Sequence, residues 1–315
     1  MRIIRSSDRT DPSCQALLQS TPIVAAVGFF DGVHRGHAYL LDLLKQEAAR
    51  RHGRSLVITF PTHPRKVLQP QQTPPLLTTA EEKARLLEVL GIDLCAMIDF
   101  TPDFARQTSQ AFMRDYLRQW FHTDCLLVGY DHHFGSDADA SFERYCEEGR
   151  ALDIDVVKAD EWTEASSHAS SSAIRRLLQS GDVDEATRLL GHAYTLSGTI
   201  GDGRGIGHTL GFPTANLRTD NPDKLLPKDG AYAVWAAVDG HDYAAMTYIG
   251  RRPTFDDSLE RTIETHLIGQ RLELYGKPMT LRFTARLRDE QTFASTDALV
   301  SQLERDVAHA KTLLL

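Results

Sequence analysis

His34 and His37 stand three residues apart inside Gly28-Phe29-Phe30-Asp31-Gly32-Val33-His34-Arg35-Gly36-His37, close enough for both imidazoles to face one anion. A lone His-x-x-His is an ordinary solvated turn; the glycines and Asp31 around this one favour a chemical reading. A second stretch, Gly207-His208-Thr209-Leu210-Gly211-Phe212-Pro213-Thr214-Ala215-Asn216, has glycines and a proline that a loop would explain. Structure alone does not ask for Thr214 and Asn216 as close polar neighbours, and together they can hold a magnesium ion and phosphate oxygens. A third, Ser170-Ser171-Ser172-Ala173-Ile174-Arg175, reads by itself as a helix N-cap followed by a guanidinium.

The elements around these stretches suggest how they are held. The apolar run 23–27 precedes the first stretch, and Leu40, Leu41, Leu44 and Ala48 follow it near helical spacing. Strand, glycine-bearing turn and helix in that order aim backbone N–H groups and a helix N-terminus at one point, which suits a phosphate. Further apolar runs at 56–60, 94–98, 125–128 and 154–157 alternate with helical patterns, including a capping box at Thr79-Ala80-Glu81-Glu82. This alternation predicts a Rossmann-like α/β domain with a parallel sheet and ligands at the carboxyl ends of its strands. After two short helices ending near Leu190 the pattern changes. Runs at 194–200, 231–238, 243–249, 261–268 and 279–287 read as strands with no helices between them, and a last helix covers about 295–314. They predict an all-β antiparallel barrel, with the domains divided as 1–187 and 188–315.

Composition narrows the class. A chain of 315 residues has room for two cores, and 25% charged with 42% hydrophobic residues is ordinary for a globular protein. A formal charge of −8 argues against general nucleic-acid binding and leaves small molecules as the expected partners. Cys14, Cys95, Cys125 and Cys146 lack zinc or redox spacing and are expected to be reduced. The first twelve residues carry no signal-peptide core, and no run of ~18 apolar residues occurs, so a cytoplasmic protein without a membrane partner is expected.

The first stretch resembles the Gly-x-Phe-Asp-Gly-x-His-x-Gly-His signature of nucleotidyltransferases that cleave ATP between its α and β phosphates. Ser170, Ser171 and Arg175 resemble their Ser-Ser-Thr-x-Ile-Arg element, with Ser172 keeping the hydroxyl of the threonine. Asp131, in Val128-Gly129-Tyr130-Asp131-His132-His133-Phe134-Gly135, resembles a Val-Gly-x-Asp-Phe-x-Phe-Gly element, with His132 where phenylalanine is usual. The second stretch looks like the Gly-Phe-Pro-Thr-Ala-Asn loop of riboflavin kinases, with His208 at a usual arginine position. Gly230-Ala231-Tyr232-Ala233-Val234, Ile249-Gly250-Arg251-Arg252-Pro253-Thr254-Phe255, Glu264-Thr265-His266-Leu267 and Leu274-Tyr275-Gly276-Lys277 extend that match, and Tyr248 replaces a common asparagine. Together the matches cover nearly the whole chain, which resembles the bacterial bifunctional riboflavin kinase/FAD synthetase family.

The resemblance implies two ATP- and Mg2+-dependent steps: riboflavin to FMN in the barrel, then FMN to FAD with release of pyrophosphate in the N-terminal domain. It implies Gly28, Phe30, Asp31, His34, His37, Ser170, Ser171 and Arg175 as the ATP site of adenylyl transfer, with His34 and His37 catalytic and Asp131 near the FMN acceptor. In the barrel it implies Gly211, Pro213, Thr214 and Asn216 for ATP, metal and flavin, and Glu264 as the base for the ribityl hydroxyl. One alternative keeps adenylyl transfer alone, with the barrel a flavin-binding regulatory module. Another gives the first domain a different phosphorylated acceptor, against which the barrel argues.

Overall fold

Five consecutive apolar residues with no polar alternation suit a strand covered on both faces, and Ile23–Val27 (β2) is buried at every position. In the computed structural model it lies inside a six-stranded parallel sheet with Arg2–Arg5 (β1), Arg54–Thr59 (β3), Leu94–Met97 (β4), Thr123–Val128 (β5) and Asp155–Lys158 (β6). The structure describes residues 1–130, 133–137, 141–160, 162, 169–202, 210–253 and 259–315, with only the backbone at 252–253 and 259–260. Asp131, His132 and His208 therefore lie outside the described residues.

The strand order is β1-β4-β3-β2-β5-β6. From β2 the chain winds one way through β3 and β4, and the other side of β2 is taken by β5 and β6. Such a reversal opens a crevice at the carboxyl ends of the strands, and the histidine stretch follows β2 at that point. Alternate residues of β2 feed two cores. Ile23, Ala25 and Val27 join one cluster, while Val24 and Ala26 join another with Leu41, Leu44 and Ala48 of the Arg35–Arg50 helix. β1 was not expected, because in Arg2-Ile3-Ile4-Arg5 only Ile4 is buried. The segment before β5 is a Ser109–Phe112 helical turn that widens to π geometry over Met113–Arg118.

The second sheet is a closed antiparallel barrel. It contains Thr195–Gly201 (β7), Ala215–Thr219 (β8), Gly230–Val238 (β9), His241–Pro253 (β10), Leu259–Leu267 (β11) and Pro278–Asp289 (β12), ordered β10-β11-β8-β7-β12-β9. Closure leaves no free edge. β8 is the strand that periodicity missed: five residues with only Ala215 and Leu217 buried alternate too briefly to be recognised. The Thr296–Leu314 helix packs against β9, β10 and β12.

By contacts the chain forms two compact units, Met1–His168 and Ala169–Leu315. The Ser171–Ser180 and Val183–Leu190 helices group with the barrel, where Lys228 N–H donates to the Leu178 carbonyl at 2.9 Å. All four cysteines are free, and three are buried. Among the described residues no helix is long and apolar enough to cross a membrane.

Candidate active sites

Gly28 leaves β2 with its N–H donating to the Ile58 carbonyl at 3.0 Å, so the turn starts anchored to β3. The chain then reverses through left-handed backbone at Phe30 (φ 51°), Gly32 (φ 80°) and Val33 (φ 39°). A β-branched residue there is strained and must be held by its surroundings. The buried Asp31 carboxylate does much of the holding, accepting from Leu77 N–H at 3.0 and 3.1 Å and from Thr78 N–H at 3.0 Å. Gly32 N–H adds a bond to Thr78 Oγ1 at 3.1 Å.

This turn delivers His34 as the N-cap of the Arg35–Arg50 helix, where its Nδ1 accepts from His37 N–H at 3.3 Å. With Nδ1 accepting, the proton of the neutral ring resides on Nε2. The two imidazoles stack with centroids 3.7 Å apart, and His37 meets the Phe30 ring edge-on at 5.2 Å. Backbone N–H groups, a helix N-terminus and two imidazoles thus converge at the end of β2, an arrangement able to stabilise charge on phosphate oxygens. Beside it a cavity of about 390 Å³ is lined by Gly28, Phe29, Phe60, Phe100, Phe104 and Phe134. Its aromatic walls suit a flat conjugated ring.

Ser170 is the N-cap of the Ser171–Ser180 helix, its Oγ accepting from Ala173 N–H at 3.2 Å, and Arg175 on that helix is buried. Lys83 escaped the sequence reading altogether. It is buried beneath the turn and bonded to the Phe29 carbonyl. The available signal was its place four residues before Leu87, on the buried face of the Ala80–Val89 helix.

In the barrel, register brings distant residues side by side. Asn216 on β8 lies directly opposite Glu264 on β11, which in turn lies opposite Tyr248 on β10. Their strand neighbours Ala215, Ile263, Thr265, Thr247 and Ile249 are buried, so Asn216, Glu264 and Tyr248 form a row on the other face. Thr214 shares the parity of Asn216 at the entrance to β8. The approach is set by Gly211, at φ 82°, and by His266, whose Nδ1–H donates to the Pro213 carbonyl at 2.9 Å while its ring meets Phe212 at 5.4 Å. Pro213, Thr214 and Asn216 also line a cavity of about 490 Å³ with Arg271 and Tyr275.

Tyr248 reaches along the row to donate its hydroxyl to Glu290 Oε1 at 2.7 Å. Burial, with the Glu290 carboxylate next, pushes that phenol well above its ordinary range. Its ring lies over Gly250, where an added Cβ would fall 2.4 Å from a ring carbon. Among the described residues no cluster of three or more His, Cys, Asp or Glu could hold a metal ion. The neutral oxygens of Thr214 and Asn216 instead suit a hard cation that keeps several waters and binds phosphate oxygens, as Mg2+ does.

Two family profiles match the chain: FAD synthetase over residues 17–173 and riboflavin kinase over residues 190–314. Curated relatives described as bifunctional riboflavin kinase/FMN adenylyltransferase are 36% identical over 286 residues in Listeria monocytogenes, covering 90% of both chains, and 33% identical over 289 residues in Escherichia coli K12, covering 91% of both. A Bacillus subtilis relative of the same description is 32% identical over 292 residues and 91% of both chains. A solved structure from Streptococcus pneumoniae, described as a macrolide-efflux protein, matches with a TM-score of 0.85 at 28% identity over 99% of both chains.

Proposed function

The chain belongs to the family of bifunctional riboflavin kinase/FMN adenylyltransferases, and from that premise we propose how its residues divide the two reactions. The chain phosphorylates riboflavin to FMN and adenylylates FMN to FAD, using ATP in both steps. Adenylyl transfer is assigned to residues 1–187 and phosphorylation to residues 188–315, in keeping with the spans of the two profiles.

In adenylyl transfer the FMN phosphate attacks the α-phosphorus of ATP and pyrophosphate departs. His34, His37 and the N-terminus of the Arg35–Arg50 helix stabilise the charge on those oxygens, and the phenylalanine-lined cavity receives the flavin ring. Gly28, Phe30 and Asp31 shape the turn; Ser170, Ser171 and Arg175 grip the triphosphate, and Asp131 meets the acceptor. The nucleophile is already an anion, so no base is required.

Phosphorylation starts from a neutral ribityl hydroxyl, which must lose a proton as it attacks the γ-phosphorus. Glu264 accepts it. Gly211 and Pro213 shape the nucleotide loop, and Thr214 and Asn216 hold Mg2+, which when bound neutralises charge on the transferring phosphoryl group. The observation that carries this reading is the register of β11 against β8, which pairs Glu264 directly with Asn216.

The test is one incubation of the purified chain with riboflavin, ATP and magnesium, resolved by chromatography. FMN should appear first and FAD after it. Absence of both products would sink the reading. FAD formed from supplied FMN while riboflavin stays untouched would leave adenylyl transfer alone, with the barrel a regulatory module.

A further inference from the structure

Lys83 takes no part in the reactions as assigned above, yet its setting is unusual. The residue is 1% exposed, and its Nζ donates to the Phe29 carbonyl at 2.7 Å, the Phe60 carbonyl at 2.9 Å and Thr59 Oγ1 at 3.1 Å. The nitrogen also lies 4.1 Å from the centroid of the Phe29 ring. Phe29 follows the end of β2, while Thr59 ends β3 and Phe60 follows it, so one buried side chain ties together the two strand ends beneath the histidine turn. Three acceptors match the three hydrogens of an ammonium; a neutral amine has two and would turn its lone pair toward the third. The geometry therefore calls for the charged form in a place where burial opposes it.

Among the described residues no carboxylate pairs with this nitrogen by contact. Asp31 attracts it through space, but that carboxylate is itself committed to Leu77 and Thr78 N–H. Cys95, on β4, is a thiol pushed up to about 12 by burial, and His63 packs on the Phe29 ring at 4.6 Å.

We infer that Lys83 is a positioning residue of the adenylyl-transfer site: its ammonium pins the ends of β2 and β3 under the histidine turn, and its charge couples ATP binding to uptake of a proton. This rests on the turn being the ATP site proposed above. Burial lowers Lys83 to about 8 from an ordinary 10.5, against the pull of Asp31. A lysine lowered that far exchanges its proton near pH 8, and an arriving triphosphate favours the protonated form, so a proton is expected to enter with the nucleotide. Stability runs the opposite way. Between about 8 and 10.5 the unfolded chain binds more protons at this group than the folded one, so its contribution to stability rises with pH over that window. A fall in FAD synthesis there is not unfolding driven by Lys83.

The test compares wild type with Lys83→Met. FAD formation from FMN by wild type should decline above about pH 8 while FMN formation from riboflavin does not follow it. Calorimetry of ATP binding at pH 8, in two buffers of different ionisation enthalpy, should show proton uptake that Lys83→Met lacks. The variant should form FAD about 10²-fold more slowly, the scale of a small misplacement at a reacting centre. Its FMN formation, which reports that the chain is folded, should stay within two-fold. A variant with wild-type FAD rates and equal proton uptake overturns the inference. If the variant loses both activities, wild-type calorimetry decides: no proton uptake at pH 8 overturns it, and uptake supports it. A wild type that makes no FAD at any pH would instead sink the assignment of adenylyl transfer.

Discussion

His37 and Glu264 should separate the two activities in opposite directions. The backbone N–H of His37 bonds the His34 ring, so His37→Ala leaves the N-cap in place while removing the imidazole that stacks on His34 at 3.7 Å and meets Phe30 at 5.2 Å. Loss of one donor to a developing oxyanion costs about 10²–10³ in rate, so FAD formation should fall by that factor with FMN formation within a few-fold. Equal loss of both would make the histidine structural. Glu264→Gln keeps the size of the side chain opposite Asn216 and Tyr248 but cannot take up a proton. General-base assistance is worth roughly 10²–10⁴, so FMN formation should drop by that much at unchanged riboflavin affinity, while supplied FMN still becomes FAD. Near-normal phosphorylation would mean Glu264 is not the base, and lost riboflavin binding would make it a positioning group. Both residues were legible in the sequence, because each lies in a short run of consecutive residues that resembles a family motif.

The histidine turn is an element held from outside itself, chiefly by Asp31. Its carboxylate satisfies buried N–H groups of Leu77 and Thr78, just ahead of the Ala80–Val89 helix. Asp31→Ala would leave those donors without an acceptor at about 1–3 kcal/mol each. Denaturant unfolding should therefore show the N-terminal unit destabilised by about 2–6 kcal/mol, with FAD formation lost and FMN formation kept. An unchanged transition would mean that the strained backbone at Phe30 and Val33 is maintained by other contacts. Sequence periodicity found strand, turn and helix here, yet it overlooked β1 and β8. Both are short, and a strand of four or five residues has too few alternations to stand out from a loop.

At the scale of the chain, a fragment of residues 169–315 should fold alone and phosphorylate riboflavin, since Ala169–Leu315 is a compact unit with a closed barrel. Starting instead at residue 186 removes the Leu178 carbonyl that accepts from Lys228 N–H. That shorter fragment is expected to be less stable by about 1–3 kcal/mol in denaturant, with kinase activity retained. An insoluble 169–315 fragment would refute the independence of the barrel unit. The proposed division of activities at 187/188 falls between the two family profiles, which end at 173 and begin at 190. The sequence by itself determined the two fold classes and the motif residues, because period-2 and period-3.6 patterns and runs of adjacent residues are local properties of a chain. Tertiary structure alone decided which strands are neighbours and in what register. Glu264 meets Asn216 through pairing of β11 with β8, Asp31 bonds Thr78 across 47 positions, and Lys83 reaches Phe29 across 54. Such pairings depend on how a closed barrel and a wound sheet bring distant segments together, and no spacing along the chain encodes that distance.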